Sequence, residues 1–232
     1  MHAHELLVSC VIPVWNGERY LAEAIDSVLG QSLPPDEVLL VDDGSTDASA
    51  SIAARYGASL RWISQPRQGP AAARNRGLRA ARGELVAFLD QDDLWHPRKL
   101  ELQVARFRER PEMDLCLTRV QKFWSAELEQ DARFYRAYPR ARAVPGYVSG
   151  ALLARRAIFE RVGGFDPARR FSDSADWFLR AREYGAVTEV LPRTLLYHRQ
   201  HPRNLTRLAD RESRGEFLGL VKAALDRQRQ VT

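Results

Sequence analysis

Apolar and polar positions alternate in blocks along this chain. Leu6 to Ile12 is an apolar run interrupted only by Ser9, the pattern of a strand buried on both faces. Pro13 ends it, and after Asn16-Gly17 the apolar positions Leu21, Ala24, Ile25, Val28 and Leu29 recur at helical spacing. Val38 to Val41 reads as a second strand and the stretch to Tyr56 as a short helix closed by Gly57. Leu60 to Ile63 reads as a weaker strand, Ala71 to Ala81 as a helix, and Leu85 to Leu89 as a strand. Strand and helix thus alternate, which predicts an α/β fold with a mainly parallel sheet flanked by helices.

The pattern changes after residue 95. Pro97 to Arg108 predicts a helix with proline in its first turn. Met113 to Val120 predicts a strand, Phe123 to Val144 shows no period, and Val148 to Leu153 is apolar. Arg155 to Val162 predicts a short helix stopped by Gly163-Gly164, and Asp173 to Tyr184 a helix with Gly185 just past its end. Val187 to Leu191 and Leu195 to Tyr197 predict two short strands. From Arg207 onward Phe217, Leu218, Val221, Ala224 and Leu225 form the apolar stripe of an amphipathic helix. No repeat or linker divides the chain, so residues 1–232 read as one domain. Its halves are 6–95 and 96–206, with a C-terminal helix over 207–229.

Charge narrows the function classes. The net charge is +5 and nearly all the base is arginine, which suits bidentate recognition of phosphate and carboxylate. The bases are scattered, with neither a Lys/Arg block nor a nucleic-acid module, so no nucleic-acid partner is expected. Cys10 and Cys116 lie in apolar runs outside any C-x-x-C pair and read as reduced thiols of a cytoplasmic protein. Met1 to Glu5 lacks a basic leader region, and no apolar run approaches the ~20 residues of a membrane span. Peripheral contact with the inner face of a membrane stays open, as does a homodimer.

The chemistry concentrates where strands end. The strand ending at Leu89 runs into Asp90-Gln91-Asp92-Asp93, at the edge where open α/β sheets bind ligands. Three acids in four residues repel one another unless a cation joins them. They read either as a hard-metal site shared with substrate phosphates or as an acidic loop capping the next helix. The first turn, Pro13 to Gly17, lacks the G-x-G-x-x-G of dinucleotide folds, and the chain has no P-loop.

Six segments in this order resemble the family 2 glycosyltransferases. They are Val11-Ile12-Pro13-Val14-Trp15-Asn16-Gly17, Val41-Asp42-Asp43-Gly44-Ser45-Thr46-Asp47, Ala73-Arg74-Asn75-Arg76-Gly77, Phe88-Leu89-Asp90-Gln91-Asp92-Asp93, Gly163-Gly164-Phe165-Asp166 and Asp176-Trp177-Phe178-Leu179-Arg180. The resemblance runs from Val8 to about Thr206 and implies the GT-A fold, a single Rossmann-like mixed sheet. It implies an inverting transferase that moves a sugar from a nucleotide sugar to an acceptor hydroxyl. A UDP-sugar is the first expectation and a dTDP-sugar the second. The acceptor would be a saccharide, a lipid-linked saccharide or a protein. By the same resemblance 6–95 is the nucleotide-binding half and 96–206 the acceptor half.

Residue roles follow from that resemblance. Pro13, Val14, Trp15 and Asn16 would lie under the nucleobase, and Asp43 would accept the base's imide hydrogen. Gly69 and Arg74 would wrap base and phosphates. Asp92 would face the ribose, Asp93 would ligate Mn²⁺ or Mg²⁺ with Asp90 supporting, and His201 would complete the metal or phosphate shell. Val148 to Ala154 and the Gly163-Gly164 turn would frame the acceptor. The general base is where this chain departs from the family. Eleven residues before Gly185 stands Ser174, whose hydroxyl is no base near neutral pH. Asp176 is the preferred substitute because it precedes the Trp-Phe-Leu-Arg run, and Asp173 is the other candidate. Asp173 also suits a helix N-cap and Asp176 the third helical position. Ser174 keeps a non-catalytic nucleotide-sugar-binding module as the alternative. Phe123 to Tyr147, with Phe134, Tyr135 and Tyr138 among Arg133, Arg136, Arg140 and Arg142, reads as an acceptor or donor-sugar lid.

Overall fold

Long apolar runs become the centre of one sheet. The computed structural model describes residues 6–136 and 143–231. Strands β1 (Val8–Val14), β2 (Glu37–Asp42), β3 (Arg61–Ser64) and β4 (Leu85–Phe88) are connected through helices α1 (Leu21–Leu29), α2 (Ser49–Ala54) and α3 (Pro70–Ala80). They pair in parallel in the order β3-β2-β1-β4. All seven residues of β1 are buried, and the strand runs through Pro13 to Val14 rather than ending at Pro13.

The second half extends the same sheet with mixed pairing. It comprises β5 (Leu94–Trp95), α4 (Lys99–Glu109), β6 (Leu115–Trp124), α5 (Glu129–Arg136), β7 (Val144–Pro145), β8 (Leu153–Arg155), α6 (Arg156–Val162), α7 (Asp173–Glu183), β9 (Thr188–Gln200), α8 (Leu205–Leu208) and α9 (Asp210–Val231). β8 joins β4 antiparallel, β6 lies between β8 and β9, and β5 closes the edge. Side chains alternate across the sheet. Cys10, Ile12 and Val14 meet α1, α2 and α4 on one face. Val11, Leu39 and Phe88 meet α3, α6 and α7 on the other.

Four further local expectations change. The two short strands near Pro192 are one strand, β9. Its register with β6 shifts around Arg119, and the bulge takes up the proline that could not donate to a regular ladder. The aperiodic stretch after Phe123 contains α5, a charged helix with acids in its first turn. Asp173 does not cap α7: Ser172 holds that place and Asp173 is the first helical residue. Phe217, Leu218 and Val221 face outward, and α9 docks through the buried Leu220. Within the expected lid, Tyr138, Arg140 and Arg142 lie outside the described residues.

Two close approaches set the relation of α3 to its neighbours. A Cβ at Gly77 would stand 2.2 Å from Val11 Cγ1, so only glycine lets α3 lie this close on β1. Two residues earlier Asn75 pairs with the backbone of Phe165: its Nδ2 donates to the carbonyl at 2.7 Å, and its Oδ1 accepts the Phe165 N–H at 2.9 Å. This two-bond clasp ties the Gly163-Gly164 turn to α3.

Candidate active site

The C-terminal ends of β1, β2 and β4 carry three interlocked loops. After β1, Asn16 adopts a left-handed backbone (φ 48°), a conformation asparagine tolerates better than most residues. Its Oδ1 accepts the Thr46 N–H at 2.8 Å, and its own N–H donates to Ser45 Oγ at 3.0 Å. Gln91 then clasps Trp15: its Oε1 accepts the Trp15 N–H at 2.7 Å and its Nε2 donates to the Trp15 carbonyl at 2.9 Å. The first turn is therefore pinned to the second and to the acidic loop. Pro13 and Val14 are buried within β1 and Trp15 is half-exposed.

Asp43 organises a fourth loop. Its Oδ1 accepts from Gln65 Nε2 and the Gln68 N–H, both at 2.8 Å, and its Oδ2 accepts the Gly69 N–H at 2.7 Å. A carboxylate has about four acceptor positions, so one stays open on Oδ2. The loop returns Arg67 over Trp15, with its guanidinium carbon 3.3 Å from the indole centroid, a cation–π stack. Gly69, with φ 94°, leads directly into α3.

Each acid of the Asp90-Gln91-Asp92-Asp93 loop has a different partner. Asp90 Oδ1 accepts from Arg74 Nη2 at 2.5 Å. Asp92 Oδ2 accepts from His201 Nε2 at 2.9 Å and from Asn204 Nδ2 at 3.3 Å. Asp93 is buried, and its oxygens meet His198 Nδ1 at 2.9 and 3.0 Å and the Arg199 N–H at 2.9 Å. Burial raises the Asp93 carboxyl against the pull of His198, and Asp93 in turn raises His198. Arg199 braces the loop. Its Nε donates to the Asp92 carbonyl at 2.8 Å, and its guanidinium lies between the rings of Tyr20 and Phe123, 4.3 and 4.6 Å from their centroids.

Arg74 joins this loop to α7. Its side chain is almost fully buried, and its Nη1 donates to Asp173 Oδ2 at 2.6 Å. Burial opposes the cation, yet Asp90 and Asp173 hold it charged. Burial also raises the Asp173 carboxyl, with Asp90 adding to it and Arg74 opposing. Asp176 points elsewhere. Its Oδ2 accepts from Arg180 Nε at 2.8 Å and its Oδ1 lies 3.6 Å from Arg169 Nε. Arg180 then donates to the carbonyls of Val162 and Gly164, both at 2.8 Å. Asp173 thus shares a cation with the acidic loop, whereas Asp176 clamps α7 to the glycine turn.

The residues fit a divalent cation only in a sparse mode. Among the described residues no group of three or more His, Cys, Asp and Glu side chains is arranged to hold a metal. His201 uses both ring nitrogens: Nδ1 accepts the Arg203 N–H at 3.2 Å, so Nε2 carries the hydrogen given to Asp92. Asp93 Oδ1 accepts two bonds and Oδ2 only one, from His198, so Oδ2 keeps one position open. Among the described residues the bonds on Asp90 and Asp92 fall on one oxygen each, leaving Asp90 Oδ2 and Asp92 Oδ1 open. Mg²⁺ usually takes one or two carboxylates and completes its shell with phosphates and water.

Reading by sequence missed Arg67, Gln65, Gln91, His198, Arg199 and Asn204 as parts of this site. Gln91 carried a signal as a member of the acidic segment, and His198, Arg199 and Asn204 as neighbours of His201, the first two at the end of β9.

Comparisons with known proteins identify the family and the fold. The profile described as glycosyl transferase family 2 matches residues 9–174. An uncharacterized glycosyltransferase of Rickettsia typhi is 31% identical over 207 residues, 84% of this chain and 65% of its own length. The uncharacterized glycosyltransferase EpsJ of Bacillus subtilis is 28% identical over 229 residues, 91% of this chain and 66% of its own. The chain therefore spans about two thirds of the length of these relatives. Among solved structures, a crystal structure of S. aureus TarS in complex with UDP-GlcNAc superposes with a TM-score of 0.68 at 22% identity. It covers 84% of this chain and 59% of that chain, TarS 1–349. The complex of TarS 1–349 with UDP gives 0.67 at 22% identity over 84% of this chain and 61% of that chain.

Proposed function

The chain belongs to glycosyl transferase family 2, and from that premise we propose that it moves a sugar from a nucleoside-diphosphate sugar to an acceptor hydroxyl with inversion. The observation that carries the reading is a convergence at one sheet edge. The Trp15 and Asp43 shelf, the open oxygens of Asp90 and Asp92, and the Asp173 carboxylate are connected by Gln91 and Arg74. Uracil is the favoured base because its imide N–H matches the open position on Asp43, and thymine offers the same donor. The two TarS complexes, with UDP and with UDP-GlcNAc, support that choice.

In the transfer, the acceptor oxygen attacks the anomeric carbon as the bond to the diphosphate oxygen breaks. The acceptor's proton passes to a carboxylate. We assign that role to Asp173 rather than Asp176. Its burial raises proton affinity, and its link through Arg74 keeps it beside the acidic loop. Arg74 orients Asp173 and adds positive charge near the leaving phosphates. Asp90 and Asp92, with the open position on Asp93, would hold a divalent cation, which would supply charge neutralisation at the leaving diphosphate.

A panel of UDP- and dTDP-sugars with Mn²⁺, scored for release of nucleoside diphosphate and for thermal stabilisation, tests the reading. Release from at least one UDP-sugar is expected. Stabilisation without release from any donor would instead indicate a nucleotide-sugar-binding module. Neither effect would refute both.

A further inference from the structure

The start of α7 is held from two sides, and only one of them belongs to the acidic loop. On the other side stands Glu216 of α9. Its Oε2 accepts the Arg170 N–H at 3.2 Å. Its Oε1 accepts the N–H groups of Phe171 at 3.1 Å and Ser172 at 2.8 Å, and the Ser172 hydroxyl at 2.5 Å. Three successive amides converging on one carboxylate form an anion-binding nest. Burial works against this charge, but the Ser172 hydroxyl and the three amides hold the Glu216 carboxyl below its ordinary value.

The arrangement replaces a local cap with a distant one. Ser172 is the N-cap of α7, yet its side chain makes no capping bond to its own helix. The hydroxyl turns to Glu216, 44 residues away, and the next residue is Asp173. No regular element spans residues 163–172 to set where α7 begins. The Asn75 clasp fixes the turn at Phe165, and Glu216 fixes it at residues 170–172.

We propose that Glu216 is a positioning residue: by gathering the amides of Arg170, Phe171 and Ser172, it sets the Asp173 carboxylate in place for proton transfer. The inference rests on the assignment of Asp173 in the proposed function. It makes α9, which lies outside the matched family region, part of the working site. A misplacement of ~1 Å in a reacting group can lower turnover about 100-fold.

The test compares Glu216→Ala, Glu216→Gln, Asp173→Asn, the Glu216→Ala/Asp173→Asn double variant, and Leu218→Ala as a control on the exposed face of the same helix. UDP-GlcNAc with water as acceptor is the turnover probe, and UDP affinity is measured by calorimetry. Glu216→Ala is expected to lower kcat 10- to 100-fold with UDP affinity within about twofold of wild type. Glu216→Gln, which keeps one oxygen acceptor, should recover part of the loss. The double variant should be no slower than Asp173→Asn, and Leu218→Ala should match wild type. Wild-type kcat in Glu216→Ala, or additive losses in the double variant, would overturn the proposal. Amide hydrogen exchange supplies a second measure that needs no turnover. Exchange at Phe171 and Ser172 should rise at least tenfold in Glu216→Ala, and unchanged exchange would also overturn it. Should wild type release no UDP, the donor reading falls, while exchange still decides the role of Glu216.

Discussion

Asp173 and Asp176 lie about one helical turn apart and bond different arginines. Asp173→Asn should lower turnover by roughly 10²–10⁴ if it takes the proton, while UDP affinity stays near wild type. Asp176→Asn should leave turnover largely intact and reduce stability by about 1–3 kcal/mol, since Arg180 would lose its buried partner. Kinetics and denaturant unfolding on the two variants decide between them, and the opposite outcome returns the base to Asp176. Lys99 offers a second test. It is fully buried, with Nζ 3.3 Å from the Leu152 carbonyl and 4.2 Å from the Trp95 ring centroid. Burial lowers its ammonium from 10.5 to about 7. Between those values the unfolded chain binds the proton and the folded chain does not, so stability rises with pH in that window. Above about pH 9 the buried thiols of Cys10 and Cys116, raised by desolvation, act in the opposite sense. His198, raised by Asp93, loses stability over the same range, so the Lys99 share is read from chemical denaturation of wild type against Lys99→Met. Lys99→Met should be more stable than wild type near pH 7, and that advantage should shrink as the pH rises toward 9.

At the scale of elements, α3 is the part on which the site turns. It lies on β1 through Gly77, reaches the glycine turn through Asn75, and sends Arg74 to two carboxylates. Gly77→Ala would force the helix off Val11, and overpacking of this kind costs about 1–3 kcal/mol. Because Arg74 moves with the helix, this variant should also weaken the tie between Asp90 and Asp173. Unfolding and turnover measured together should both decline. A loss of stability with full turnover would mean that Arg74 does not depend on the seat of α3.

At the scale of the molecule, the donor and the cation are coupled. Asp90, Asp92 and Asp93 place three carboxyl groups beside the expected diphosphate, and Arg74 and the histidines offset only part of that charge. UDP binding should therefore weaken at least tenfold, about 1.4 kcal/mol, when EDTA removes divalent ions. Restoring Mn²⁺ or Mg²⁺ should restore it. Calorimetry showing equal affinity with and without EDTA would remove the metal from the proposal and leave the arginines to carry the phosphates. Asp92→Asn should abolish the metal effect, because its open oxygen is the proposed ligand.

Much of this molecule was readable before folding. Buried strands declared themselves as unbroken apolar runs, and α1, α3, α4 and α7 as periodic ones, because burial of one face imposes its period on the chain. The six family segments located the sheet edge where the acids, Trp15 and Asp43 meet. The sequence put Asp176 slightly ahead of Asp173, since it precedes the Trp-Phe-Leu-Arg run. The proposed reversal rests on Arg74, 99 residues from Asp173, which bonds one and not the other. The sequence did not reveal Glu216, whose four donors lie 44 to 46 residues away and whose own stretch reads as an ordinary charged helix. Local pattern is set by which face each residue buries. The partners of a charged side chain are set by which loops the sheet brings to the same edge, and that depends on tertiary packing.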